Sequence, residues 1–496
     1  VAATSAAGPS KLTIAQGELA GKRVGKTRVF LNIPYAEPPV GALRFAPAQP
    51  AANWSGMRQA VAYGPSCPQP PNPLVTPGPQ DEDCLSLNVF APTSGRRLPV
   101  IVYLPGGGFV TGGSNAYDGQ HLSENANAIV ITLNYRLGAL GFLSHPALDQ
   151  ERRSQPSGND AIGDQQLALQ WVKANAASFG GDPTNVTLMG VSAGSVSTCV
   201  HMVSPPSRTL AQRFVMESGA CTGGLPLRTP AQAQELGTEF ANAFCTGAGD
   251  VLACLRNQPA DQLVAWGADR GLTGAGWLPV VNPVDAILPA HPTQLIAAGN
   301  YNKGPLILGS NAREFGLFQA IGQAPVMTSV ADLSGMLDQT FGPIAPLVAL
   351  QYLLTATDAT ANDVFVQLMT DFLIRCPTRA LARMTTAAGT RAYLYHFEEG
   401  LAYHVYELPY VLDTPNAMFG APTLVEPLRS FVQDGIANFV HHGSPNTYAV
   451  RNAWPLYSAM SDRHTVLKAA PSVASGLAKA NCDFWDQITL LSQLAM

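Results

Sequence analysis

Short, almost wholly apolar runs alternate along this chain with stretches whose apolar positions recur every three or four residues. Pro99–Leu104, Ala128–Leu133 and Val186–Val191 have no polar face, the pattern of strands buried on both sides. Before the third run, Leu167, Trp171 and Ala174 fall at i, i+4 and i+7, which predicts a helix within Gly163–Phe179. Val196, Val200 and Val203 show helical spacing again after that run. Further strands are expected at Arg213–Glu217, Pro305–Gly309 and Tyr393–Phe397. Strand–helix–strand alternation implies parallel pairing through right-handed crossovers. The fold class is therefore α/β, a mostly parallel twisted sheet flanked by helices. Pro65–Gln80 is crowded with chain breakers and reads as an irregular loop. No internal repeat, heptad or charge block interrupts the alternation.

Candidate chemistry begins where the third buried run meets its helix. Gly190-Val-Ser-Ala-Gly194 is the one G-x-S-x-G match in the chain. A tight turn there holds Ser192 in a strained conformation, and the flanking glycines remove side chains that would clash. The competing reading is an ordinary glycine-rich strand-to-helix turn. A serine nucleophile needs donors for a developing oxyanion. Three glycines, Gly106 to Gly108, leave the first buried run directly, so the N–H groups of Gly107 and Gly108, with that of Ala193, are candidates. Neither phosphate-loop pattern is completed in that segment. Chain order places the acid and then the histidine downstream of the serine. His396 alternates within a strand, and His441 and His442 close an apparent helix. His404 follows the last strand in a loop. Glu314, just past Pro305–Gly309, is the best carboxylate between them.

Composition narrows the partners. The 496 residues are 46% hydrophobic and only 13% charged, with a net charge of −5, so a large core is available and no basic footprint for nucleic acid exists. No apolar run approaches the roughly 18 residues of a membrane span. The small and polar residues from Val1 to Ser10 read as the tail of a mature, exported chain after removal of a signal peptide, and the alanine-rich sequence is read as bacterial. Eight cysteines without C-x-x-C spacing argue against a zinc site, and leave buried thiols and disulfides equally open.

Taken together, these motifs resemble the type B carboxylesterase/cholinesterase family of α/β-hydrolases. The resemblance is carried by Phe179-Gly-Gly-Asp-Pro-Thr-Asn-Val-Thr187 leading into the serine motif, by Glu82-Asp-Cys-Leu-Ser-Leu-Asn88, and by Phe30–Pro39 with Leu43-Arg-Phe45. Weaker segments, among them Asn134-Tyr-Arg136 and Asp164-Gln165, extend it from about residue 12 to 486. It implies one domain over residues 11–496, with a small N-terminal sheet and helical insertions around a gorge. It further implies a triad of Ser192, Glu314 and His404, an oxyanion hole of Gly107, Gly108 and Ala193, and Ser218 as a serine near the acid. Cys67 with Cys84, Cys245 with Cys254, and Cys376 with Cys482 are similar in position to three family disulfides. Cys199 and Cys221 have no family partner, and a fourth disulfide between them is a reasonable expectation. That framework favours a secreted or periplasmic protein.

Departures from the family bear on substrate. Val191 stands where many relatives have Glu, Phe315 where relatives often have glycine, and Pro105 where many esterases carry His. No aromatic residue lies between Cys67 and Cys84, where cholinesterases hold a quaternary ammonium. Small residues in Thr273-Gly-Ala-Gly-Trp277 replace aromatic acyl-pocket walls. The expectation is a serine carboxylesterase without cofactor or metal, tolerant of bulky or medium-to-long acyl groups, with Phe109, Val191, Trp277 and Phe318 around the pocket. Its partner is a small-molecule ester, and the protein is expected as a monomer or weak homodimer. The same triad also serves lipases and polyester, carbamate or amide hydrolases, and the fold has non-catalytic adhesion descendants that typically lose a triad member.

Overall fold

The computed structural model describes residues 10–72, 78–152, 155–223, 227–268, 276–414, 423–447 and 453–494. Among these, thirteen strands form one sheet: β1 (Ser10–Ile14), β2 (Gly17–Val24), β3 (Thr27–Pro34), β4 (Met57–Gln59), β5 (Ser86–Pro92), β6 (Leu98–Leu104), β7 (Ile129–Leu133), β8 (Gly181–Val191), β9 (Arg213–Glu217), β10 (Leu306–Asn311), β11 (Ala392–Phe397), β12 (Arg463–Leu467) and β13 (Ser472–Ser475). Their order is β1-β2-β3-β5-β7-β6-β8-β9-β10-β11-β12-β13, with β4 paired to β2. Every pairing from β7 across to β12 is parallel, and antiparallel strands extend both edges.

The six strands expected from the apolar runs are all present, with ends displaced by one residue in most cases. The exceptions are β10, which ends two residues later than expected, and β8, which starts five residues earlier than the apolar run. Two-sided burial explains why the central strands were readable. In β6, Val100, Val102 and Leu104 enter one apolar cluster, while Ile101 and Tyr103 enter another on the opposite face. Burying one such side chain stabilises the fold by about 1.5–3 kcal/mol. Helices Asp160–Asn175 and Ala193–Val203 occupy the regions that the helical spacing predicted.

Several of the family-like segments meet through buried ion pairs. The Arg136 guanidinium donates two bonds to Asp164, at 2.8 and 2.6 Å, with both side chains almost wholly buried. Arg44 is paired with Glu82, two residues before Cys84. Four disulfides are formed: Cys67–Cys84, Cys199–Cys221, Cys245–Cys254 and Cys376–Cys482. They fit an extracellular or lumenal protein. No helix among the described residues is long and apolar enough to cross a membrane.

Chain order determines where a site can form. After β6 the chain adds β7 on one side, and then β8 on the other, so β6 is a point where strand order reverses. Crevices outside the carboxyl ends of strands open at such points. Leu104 ends β6 in register with Gly190 of β8, which sets the Gly106–Gly108 loop beside the turn at Ser192.

Candidate active site

Ser192 links β8 to the helix Ala193–Val203 with φ 57° and ψ −122°. A non-glycine residue in such a sparsely populated region costs roughly 1–3 kcal/mol and persists only where its surroundings over-determine it. Here they do. The Ser192 N–H donates to the Glu217 carbonyl at 2.8 Å, and its own carbonyl accepts the Val196 N–H at 2.9 Å. Both flanking glycines are required sterically. A Cβ at Gly190 would lie 2.5 Å from the Gly194 oxygen, and one at Gly194 would lie 2.1 Å from the Leu104 oxygen.

The glycine loop is equally constrained. Gly107, at φ 120°, accepts the N–H groups of Val110 and Thr111 at 3.1 and 3.0 Å. The Gly106 N–H is taken by the Tyr117 hydroxyl at 3.0 Å. Gly107 and Gly108 line the cavity that also holds Ser192 and His404. The Ala193 N–H belongs to the first helical turn, whose donors have no partner within the helix.

His404 follows β11 in a loop, and its Nδ1–H donates to Glu314 Oε2 at 2.7 Å. Glu314 is wholly buried, and its other oxygen accepts the Asn311 N–H at 2.6 Å from the end of β10. A carboxylate only accepts, so the proton sits on Nδ1 and leaves a lone pair on Nε2 in the neutral ring. Nε2 is buried and has no hydrogen-bond partner among the described residues. The Phe318 ring packs 5.3 Å from the imidazole, centroid to centroid.

Ser192, His404 and Phe318 line two cavities, one of about 140 Å³ and another of about 30 Å³ on the side of Val196, Ala220, Leu373 and Ile374. Trp277 lies on the wall of the larger one, together with Trp266, Leu317 and Tyr117, while Pro70, Pro71 and Asn72 come from the first disulfide loop. Phe109 and Val191 do not reach either wall. Phe109 packs edge-on against Phe142, 5.2 Å between centroids, and Val191 faces the opposite side of the sheet from the helix that Ser192 begins. Of the segment expected to replace aromatic acyl walls, Thr273, Gly274 and Ala275 fall outside the described residues.

Ser218 was expected near the acid. Its hydroxyl donates to Glu407 Oε1 at 2.9 Å, and Asn311, whose N–H is held by Glu314, reaches the other oxygen of Glu407. Burial, and then the charge of Glu314, push the Glu407 carboxyl up to about 7. Glu217 beside it receives the Tyr103 hydroxyl at 2.8 Å, and burial pushes its carboxyl well up as well. Sequence reasoning assigned no role to Glu407, Glu217 or Asn311. Glu407 lies three residues past His404, but no spacing rule marks a carboxyl that faces inward.

A mostly parallel sheet with a strained serine turn beside its point of reversal is the arrangement of the α/β-hydrolase fold. The chain belongs to the carboxylesterase family, whose model matches residues 8–485. Carboxylesterase 1E of Mus musculus is 32% identical, covering 98% of this chain and 95% of its own length. Carboxylesterase 1E of Rattus norvegicus is also 32% identical, over 100% of this chain and 97% of its own. The liver carboxylesterase of Sus scrofa is 32% identical over 97% of this chain and 93% of its own. This protein is accordingly a carboxylic ester hydrolase.

Proposed function

We propose that Ser192, His404 and Glu314 form the catalytic triad, acting through an acyl-enzyme. The reading is carried by the imidazole of His404, whose Nδ1–H is held by Glu314 while Nε2 is left unpaired in the cavity it shares with Ser192. Nε2 takes the proton as Ser192 Oγ bonds to the ester carbonyl carbon, and Glu314 stabilises the imidazolium that forms. The N–H groups of Gly107, Gly108 and Ala193 carry the oxyanion. The alcohol leaves with the proton from Nε2. Water then gives a proton to the same nitrogen as it attacks the acyl carbon, the acyl–Oγ bond breaks, and Nε2 returns that proton to Ser192 Oγ as the acid is released.

Ser192→Ala should lower kcat by roughly 10⁶ if the triad acts as a unit. A variant that retains a tenth of wild-type activity would refute the nucleophile. Labelling of wild-type Ser192 by an organophosphate, read by peptide mass, tests the same point independently.

For the acyl side we infer tolerance of bulky or medium-to-long acids, supported by the small cavity beyond Phe318 and by Trp277 and Phe318 at the wall of the larger one. Across an acetyl-to-hexanoyl ester series, kcat/KM should hold or rise. A steep fall would reject this preference. We read residues 11–496 as one α/β-hydrolase unit, and the chain as exported, on the strength of its continuous sheet and four disulfides.

A further inference from the structure

The segment leaving β9 touches the serine turn, the strand that carries the acid and a buried carboxyl within five residues. The Glu217 carbonyl accepts the Ser192 N–H, and the Gly219 carbonyl accepts the Ser195 hydroxyl at 2.6 Å. The Ser218 N–H donates to the Gly309 carbonyl of β10 at 3.0 Å, and its hydroxyl donates to Glu407. The approach is so close that a Cβ on Gly219 would lie 2.6 Å from the Ser192 carbonyl oxygen. Cys221 follows two residues later, bonded to Cys199, with both residues buried. Cys199 lies seven residues after Ser192, two turns along the helix and on the same side of it. The Cys221 N–H also donates to Cys199 Sγ at 3.2 Å. Residues 217–221 are thus a bracket, hydrogen-bonded to the serine turn at one end and joined covalently to its helix at the other.

We propose that the Cys199–Cys221 disulfide is a positioning element for the nucleophile, clamping residues 217–221 to the helix that Ser192 begins. Hydrogen bonds to the turn open and close, whereas the covalent link keeps their partners within reach so that they re-form. A serine at φ 57° needs such a surround, because its conformation relaxes once its neighbours withdraw. His404 arrives from β11 and does not follow the helix. A helix that shifts against β9 therefore moves Oγ away from Nε2, and a misplacement of about 1 Å can cost roughly 10²-fold in rate. Cys245–Cys254 offers the contrast, since it joins the helices Pro230–Cys245 and Val251–Arg256 and neither cysteine bonds to the serine turn.

The inference rests on Ser192 as the nucleophile, and the experiment separates the two. Wild type is first treated with a neutral organophosphate. No label on Ser192 would overturn the nucleophile reading. The rate of labelling, kcat and KM for a small ester are then compared for Cys199→Ala/Cys221→Ala, for a refilled Cys199→Val/Cys221→Ala, and for Cys245→Ala/Cys254→Ala. Each protein is first checked for folding by circular dichroism at the assay temperature. In both Cys199/Cys221 variants kcat should fall by roughly ten- to a hundredfold with KM within about threefold, and labelling should slow in parallel. The Cys245/Cys254 variant should lose only Tm. Should the alanine pair fail to fold, the refilled pair, which restores buried volume, is read the same way. Folded Cys199/Cys221 variants whose kcat and labelling rate stay within about twofold of wild type would overturn the clamp and leave a structural staple.

Discussion

Ser192 owes its conformation to what its neighbours lack. Glycine at 190 and 194 admits backbone oxygens to positions that a methyl group would fill, and Gly107 does the same for the loop opposite. A Cβ at Gly107 would meet the Thr111 oxygen at 2.1 Å, so Gly107→Ala must open the turn whose N–H groups are proposed to hold the oxyanion. Losing one such donor costs about 10²–10³ in kcat. The variant should show that loss with KM little changed, and steady-state kinetics on a small ester will check it. Glu314→Gln keeps the size of the side chain, but its amide can turn an N–H toward Nδ1 and impose the wrong tautomer. The expected loss in kcat is about 10⁴, with the fold intact by circular dichroism. At this scale the serine turn and the glycine loop were legible, because each is a local consequence of adjacent residues. Glu407 was not. Its raised carboxyl is created by burial beside Glu314, a neighbour 93 positions earlier in the chain.

The helix Ala193–Val203 is buried along its whole length, so its polar side chains must find partners inside. His201 does so with both nitrogens. Nε2 donates to Gln165 Oε1 at 2.9 Å, and Nδ1 accepts the Ser207 hydroxyl at 2.9 Å. Burial lowers its pKa to about 3. A lowered histidine binds protons more tightly in the unfolded chain. Its contribution to stability is therefore complete above the unfolded value near 6.5, and is lost progressively as pH falls from there toward 3. His201→Gln removes the titration, so the Tm advantage of wild type over this variant should shrink as pH falls from 7 to 4. A gap that stays constant or widens would contradict the assignment, and differential scanning calorimetry at several pH values reads it. Elements were legible in proportion to their burial. The central strands are apolar on both faces and declared themselves, whereas β8 begins at Gly181, which pairs with Leu98 ahead of the apolar run, although the residue types of Gly181-Asp-Pro-Thr-Asn185 do not favour strands. The π-helical turn Asp371–Arg375, which supplies Leu373 and Ile374 to the smaller cavity, carries no sequence signal at all.

Across the whole molecule, the sheet gathers five carboxyl ends at one edge. Those of β6, β8, β9, β10 and β11 lead into Gly106–Gly108, Ser192, Ser218, Glu314 and His404. Long connections separate them, and cross-links that close long loops remove most freedom from the unfolded chain. Cys376–Cys482 spans 106 positions and should contribute about 4–5 kcal/mol in the chain-entropy model, against roughly 2.7 kcal/mol for the 9-position Cys245–Cys254 loop. Replacing the first pair with alanines should therefore lower Tm more than replacing the second, and equal losses would count against an entropic origin.

The apolar runs, the serine turn and the glycine loop were determined by the sequence itself, since each depends on residues within a few positions of one another. The resemblance carried by longer motifs pointed to Glu314, His404 and three disulfides. Only the tertiary structure decided that Cys199 meets Cys221, that Ser218 bonds to Glu407, and that Trp277 and Phe318 reach the cavity while Phe109 and Val191 do not. Those outcomes depend on strand order and on which face of the sheet each side chain occupies, and both are settled by packing between segments far apart in the chain.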